Sequence, residues 1–199
     1  MPTMKPTKLL LLAASTGLFL FGFAQQPEAL HLEQTVVYAQ KSKKLPKIAK
    51  VDVTAKQAIA AFKDKYPGSS ITGLNLEKKL GKYYYEIDGV DDNKEHSLTL
   101  NANTKKRVQS ESENLDADEK GGKKRDQDKI STKKLISVKK AVRAAQKKVK
   151  SGKVTEVSLD NDVATTYWEV KFKQKTQETS VQLDATTGKY LGKDVDTDD

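Results

Sequence analysis

The chain contains no cysteine. That excludes disulfides, thiolate metal sites, a cysteine nucleophile and a lipid anchor carried on cysteine. Histidine is nearly absent too: only His31 and His96 occur, and neither belongs to an H-E-x-x-H zinc motif. There is no G-x-S-x-G nucleophile elbow and no glycine-rich phosphate loop. Nothing resembles a nucleic-acid-binding motif. The residues therefore predict a non-enzymatic protein with no cofactor, no catalytic residue and no metal site. His96 is expected at the start of a strand, exposed beside Glu95.

The N-terminus reads as a secretory signal. Lys5 and Lys8 form the basic region, Leu9 to Phe23 the apolar run, and Gly22-Phe23-Ala24 a small-x-small cleavage site. The run falls short of the roughly 20 residues that span a bilayer. Val37-Tyr38-Ala39 offers a second cleavage site, and retention as an anchor is the remaining alternative. Export without cysteine fits a Gram-positive envelope. Residues 1–24 are thus a signal peptide. Residues 25–50 follow as a disordered spacer, made basic by Lys41, Lys43, Lys44, Lys47 and Lys50.

The rest of the chain is written twice. Ala58 to Val108 aligns without a gap on Ala141 to Leu191, and a repeat of this kind fixes the architecture before any local reading does. Tyr84-Tyr85-Glu86-Ile87 returns as Tyr167-Trp168-Glu169-Val170. Asn101-Ala102-Asn103-Thr104 returns as Asp184-Ala185-Thr186-Thr187. Each copy opens with a helix. Thr54 and Ser137 stand at the N-cap positions, and Gln57 completes a capping box in the first copy. Apolar residues follow at helical spacing: Ala55, Ala58, Ile59 and Phe62, then Val138, Val142, Ala145 and Val149. Pro67-Gly68 and Ser151-Gly152 stop the two helices.

Three strands follow in each copy: Ile71 to Glu77, Tyr83 to Gly89 and Glu95 to Leu100, then Val154 to Asp160, Thr166 to Lys173 and Glu178 to Leu183. A short fourth strand is expected at Arg107-Val108 and at Tyr190-Leu191. Period-two alternation turns Tyr85 and Trp168 toward the core. It leaves Tyr84, Glu86, Tyr167 and Glu169 on an outer, polar face. The fold class is α+β: two tandem small domains, each one helix packed on a three- to four-stranded antiparallel sheet. The sheets either pair edge to edge or stay apart like beads.

With this order of elements, and with Leu183-Asp184-Ala185-Thr186-Thr187-Gly188-Lys189 closing the second copy, the chain resembles the PepSY domain family. The first copy departs at that turn, where Asn101 replaces Asp184 and Lys105 replaces Gly188. The resemblance implies PepSY-like domains at 51–109 and 130–193. It also implies an extracytoplasmic binding or regulatory role, with a secreted or membrane protease as the partner. The family's domain occurs in propeptides of thermolysin-type metalloproteases and is proposed to restrain peptidases near the cell surface. Here the restraint would act in trans.

Residues 110–129 are expected to form a mobile charged linker with almost nothing apolar to bury. They lack the Asp-x-Asp-x-Asp-Gly spacing of a calcium loop. Residues 194–199 form an acidic tail, expected to fray. The formal net charge is +9. Bases concentrate on the second helix, where Lys139, Arg143, Lys147 and Lys150 share one face opposite its apolar stripe. Like charges at this spacing repel by about 0.2–0.5 kcal/mol per pair, so local helix energetics do not favour them. These four residues are the candidate contact for a polyanion, either teichoic acid or anionic lipid. They carry the alternative reading, a surface-adhering structural protein. Nucleic acid is not expected, because the signal sends the chain outside.

Overall fold

A computed structural model describes residues 44–162 and 165–197, all within one compact unit, Lys41–Asp199. The signal peptide and the spacer up to residue 43 lie outside the described residues. The rest is α+β, built on one eight-stranded antiparallel sheet. In chain order come α1 (Ala55–Lys65), β1 (Ser70–Lys79), β2 (Lys82–Val90), β3 (Lys94–Asn101) and β4 (Arg107–Asn114). They are followed by α2 (Lys123–Asp128), α3 (Val138–Gln146), β5 (Lys153–Asp162), β6 (Thr165–Gln174), β7 (Gln177–Asp184) and β8 (Tyr190–Thr197). The strand order is β4-β3-β2-β1-β5-β6-β7-β8.

The two copies do not hang as beads. They meet edge to edge through β1 and β5, with Leu74 opposite Leu159, Asn75 opposite Ser158, Leu76 opposite Val157 and Glu77 opposite Glu156. Asn75 and Ser158 hold the same position in the two copies, so the register is symmetric about that pair. The physical reason is that each copy alone would leave β1 or β5 as a bare edge of unpaired N–H and C=O groups. Pairing satisfies both edges at once.

The repeat extends to its irregularities. A bulge falls between Ile71 and Gly73 of β1 and between Val154 and Glu156 of β5. A second falls opposite Thr99 and Leu100, where Val108 of β4 is the extra residue, and opposite Gln182 and Leu183, where Leu191 of β8 is. Thr54 caps α1 through the full capping box: its Oγ1 accepts from Gln57 N at 3.2 Å, and Gln57 Oε1 accepts from Thr54 N at 2.8 Å. Ser137 caps α3 through its hydroxyl, which accepts from Lys140 N at 3.2 Å.

One core runs through both copies. Tyr85 and Trp168 are fully buried at its centre, each contributing roughly 1.5–3 kcal/mol of apolar burial. The Tyr85 hydroxyl donates to Val53 O at 3.1 Å, whereas Trp168 Nε1 is buried without a hydrogen-bond partner. Core volume is distributed differently in the two copies. In the first, Phe62 of α1 covers Gly89, where an added Cβ would lie 2.6 Å from both the Phe62 ring and Ser70 O. In the second, the equivalent positions are Ala145 and Phe172, both buried. The large ring has moved from helix to strand.

Several expectations are corrected. β4 and β8 are each eight residues long, because the neighbouring strand offers a full-length edge. β4 therefore runs into the presumed linker, which also carries α2 and the buried Leu115. Lys124 ties α2 down by reaching Glu119 at 2.7 Å and Glu95 at 3.0 Å. The acidic tail is strand as far as Thr197. The spacer also ends in structure. Lys47–Lys50 forms a 3-10 turn against β1, β5 and α3, and its Ile48 is 1% exposed. An apolar residue within a lysine-rich run thus becomes a plug over the join between the copies.

Candidate binding surfaces

The four basic residues singled out from the sequence do not form one helical face. α3 stops at Gln146, as Lys147 N and Lys148 N close short bonds to Ala144 O at 3.2 Å and Ala145 O at 2.8 Å. Lys139 and Arg143 lie on the helix, Lys147 is its C-cap, and Lys150 follows it on the way to β5. All four are exposed. Lys148, beside them, packs its ammonium over the Tyr190 ring at 4.6 Å, a cation–π contact worth about 0.5–1 kcal/mol at an exposed site.

His96 is buried, contrary to the expectation of an exposed strand start. Its ring stacks on Tyr66 with centroids 4.2 Å apart. Nε2 lies 2.9 Å from Asp91 Oδ2, and Nδ1 lies 2.8 Å from Ser112 Oγ. A carboxylate can only accept, so Nε2 carries the proton. Tyr66 itself donates to Glu111 O at 3.1 Å. This cluster ties the end of α1 to β3 and β4, and every polar atom named in it has a partner. Among the described residues, no group of three or more His, Asp or Glu is placed to hold a metal ion.

The opposite face of the sheet carries a different chemistry. Strand alternation places Glu86 and Asp88 of β2, Glu156 and Asp160 of β5, and Glu169 of β6 away from the core. Where the copies meet, a groove of about 240 Å³ is lined by Gly73, Asn75, Asp88, Glu156, Ser158, Asp160, Glu169 and Lys171. Asp88 is exposed in part, yet the protein packed around its carboxyl, reinforced by Glu86, Glu95 and Asp160, pushes it up to about 6. Burial also raises Asp160, and Glu169 adds to the shift. Lys171 is the one base in the lining, and it lies 3.4 Å from Glu156. The Oδ1 of Asn75 has under 1 Å² exposed and no hydrogen-bond partner.

Sequence reasoning placed Glu86 and Glu169 on the outer face but missed Asp88, Asp160 and Asn75. The alternation alone would have shown the acids. It could not show that two copies of the face are joined into one groove.

Comparison with known proteins bears on both copies. The family model described as peptidase propeptide and YPEB domain, PepSY, matches residues 52–106 and 135–194. A crystal structure of a candidate lipoprotein from Clostridium difficile 630 is 32% identical. It superposes with a TM-score of 0.70 over 73% of this chain and 95% of its own. The YpmB protein from Bacillus subtilis is 22% identical over 70% of this chain and 95% of its own, and its TM-score of 0.31 is too low to bear on the fold. No curated protein matches.

Proposed function

The chain belongs to the PepSY family through both of its copies, and on that premise we propose that it is a non-enzymatic binding and regulatory protein of the cell envelope that restrains a peptidase. The family's description links the domain to peptidase propeptides. The description of its Clostridium difficile relative as a lipoprotein favours the same side of the membrane, although without cysteine this sequence offers no residue for a thioether-linked lipid. The observation that carries the reading is the pair of open sheet edges. β4 and β8 end the sheet and expose Val108 and Leu191 at matching positions of the two copies. An edge of this kind accepts an extended peptide by adding a strand, which is how a substrate-like segment of a peptidase would be held. The mature chain, titrated into secreted and wall-associated proteases, should slow peptide turnover at micromolar concentration. Unchanged turnover across that set overturns the reading.

A second reading rests on Lys139, Arg143 and Lys147, which are exposed at successive turns along α3 and its C-cap. On this reading the chain adheres to an anionic wall polymer or lipid surface. Retention on teichoic acid or anionic vesicles should then fall steeply with salt. It should be lost when these residues and Lys150 are replaced by Gln.

A further inference from the structure

The acidic face offers more than solubility. We propose that the outer face of the sheet, centred where β1 meets β5, is a docking surface for an extended lysine- or arginine-bearing segment of a partner protein. The inference does not depend on that partner being a peptidase.

Three observations carry it. First, the groove shares lining residues with two neighbours. One, of about 210 Å³, shares Asp88 and adds Glu95, Glu111 and Glu113. The other, of about 390 Å³, shares Asp160 and adds Asp128 and Asn161. The three form a track of adjoining depressions, with Asp88 and Asp160 each lining two of them. Second, the middle of the track presents acceptors. Lys171, the one base in the groove's lining, is already drawn toward Glu156. Third, the carboxylates are spread along the track, and no three of them converge on a metal-sized point. That spacing suits guanidinium and ammonium groups carried on a chain, which bring several donors each.

Overall charge works against a trivial explanation. The chain is net basic, at +9, so bulk electrostatics repel a cationic peptide. Association requires the local field of this face.

The test uses the mature chain and a fluorescein-labelled peptide alternating Arg with Gly, followed by anisotropy at low and high salt. Saturable binding that weakens with salt is expected. Asp88→Asn combined with Asp160→Asn should weaken it about tenfold or more, as loss of close charge pairs does. Lys139→Gln with Arg143→Gln, on the opposite face, should leave it within about twofold. Thermal melts show whether each variant is folded, and Glu169→Gln provides an independent change in the same lining. Failure to bind the peptide, or binding indifferent to both lining variants, overturns the proposal. So does sedimentation showing that a second copy occupies the face, with self-association abolished by Asp88→Asn and Asp160→Asn and equally by the α3 variants.

Discussion

At the scale of single residues, the two copies act as each other's control. The turn after β3 and the turn after β7 have the same shape, with Lys105 at φ 60° where the second copy has Gly188 at φ 76°. A left-handed conformation costs a residue with a Cβ about 1–2 kcal/mol, offset in part by the greater freedom of glycine in the unfolded chain. Lys105→Gly should therefore stabilise the protein by about 0.5–1 kcal/mol, read as a rise in urea midpoint. Gly188→Ala should do the reverse, because its Cβ would also come within 3.2 Å of Ile136 Cδ1. The same turns differ in charge. Asp184 accepts from the hydroxyl of Thr187 at 2.7 Å and its N–H at 2.7 Å, and from Thr186 N at 3.1 Å. These bonds, the Thr187 hydroxyl first, hold its carboxyl down at about 2. A depressed carboxylate stabilises the fold above its unfolded value of 3.8, and that contribution disappears as pH falls toward 2. Asp184→Asn copies Asn101, whose neutral Oδ1 accepts from Asn103 N and Thr104 N at 3.0 Å each. The variant should keep the turn near neutrality and flatten the loss of stability between pH 4 and 2. An acid melt of the pair of proteins decides it.

At the scale of elements, what could be read from the residues was whatever a local pattern determines. Thr54 and Gln57 announce a helix start because the box satisfies two orphan N–H groups within four residues. Tyr85 and Trp168 announce the core because strands alternate. Thr54→Ala should accordingly cost about 1–2 kcal/mol, and Ser137→Ala less, since Lys140 cannot return the bond that Gln57 does. Equilibrium unfolding of the two variants side by side ranks them. Illegible elements were those decided by a distant partner. β4 reads Arg-Val-Gln-Ser-Glu-Ser-Glu-Asn, a solvated sequence with no apolar face, and it is a strand only because β3 offers it a full ladder. α2 is short and has no buried residue of its own, and it is held in place by its ion pairs with the β2–β3 region. Ile48 gives no local signal, because the surface it closes exists only once both copies have paired. The acidic groove was hidden for the same reason. Its halves are legible as polar strand faces, but a concave site with Asn75 in it requires β1 and β5 to meet.

For the molecule as a whole, the question is whether two copies make two folding units or one. Sequence favours two, since each copy carries its own helix, meander and buried ring. The structure favours one. The core cluster extends without interruption from Ile48 to Ala185, β1 and β5 satisfy each other's backbone, and the Lys47–Lys50 turn lies against both strands and α3. Separating the copies would expose Ile48 and leave β1 and β5 each bare along one edge, so each half should lose its marginal stability with the other. The protein contains a single tryptophan, Trp168, in the second copy, which makes the coupling measurable. Gly89→Ala acts only in the first copy, where the new methyl would collide with Phe62 and with Ser70 O. Such overpacking costs about 1–3 kcal/mol. If the sheet is one cooperative unit, Trp168 fluorescence and far-UV circular dichroism should share one urea midpoint in the parent protein, and Gly89→Ala should lower both together. Independent domains would leave the Trp168 transition where it was while the circular dichroism split in two. That outcome would also remove the joined groove as a stable binding surface, because the strands that form it could then separate without unfolding either half.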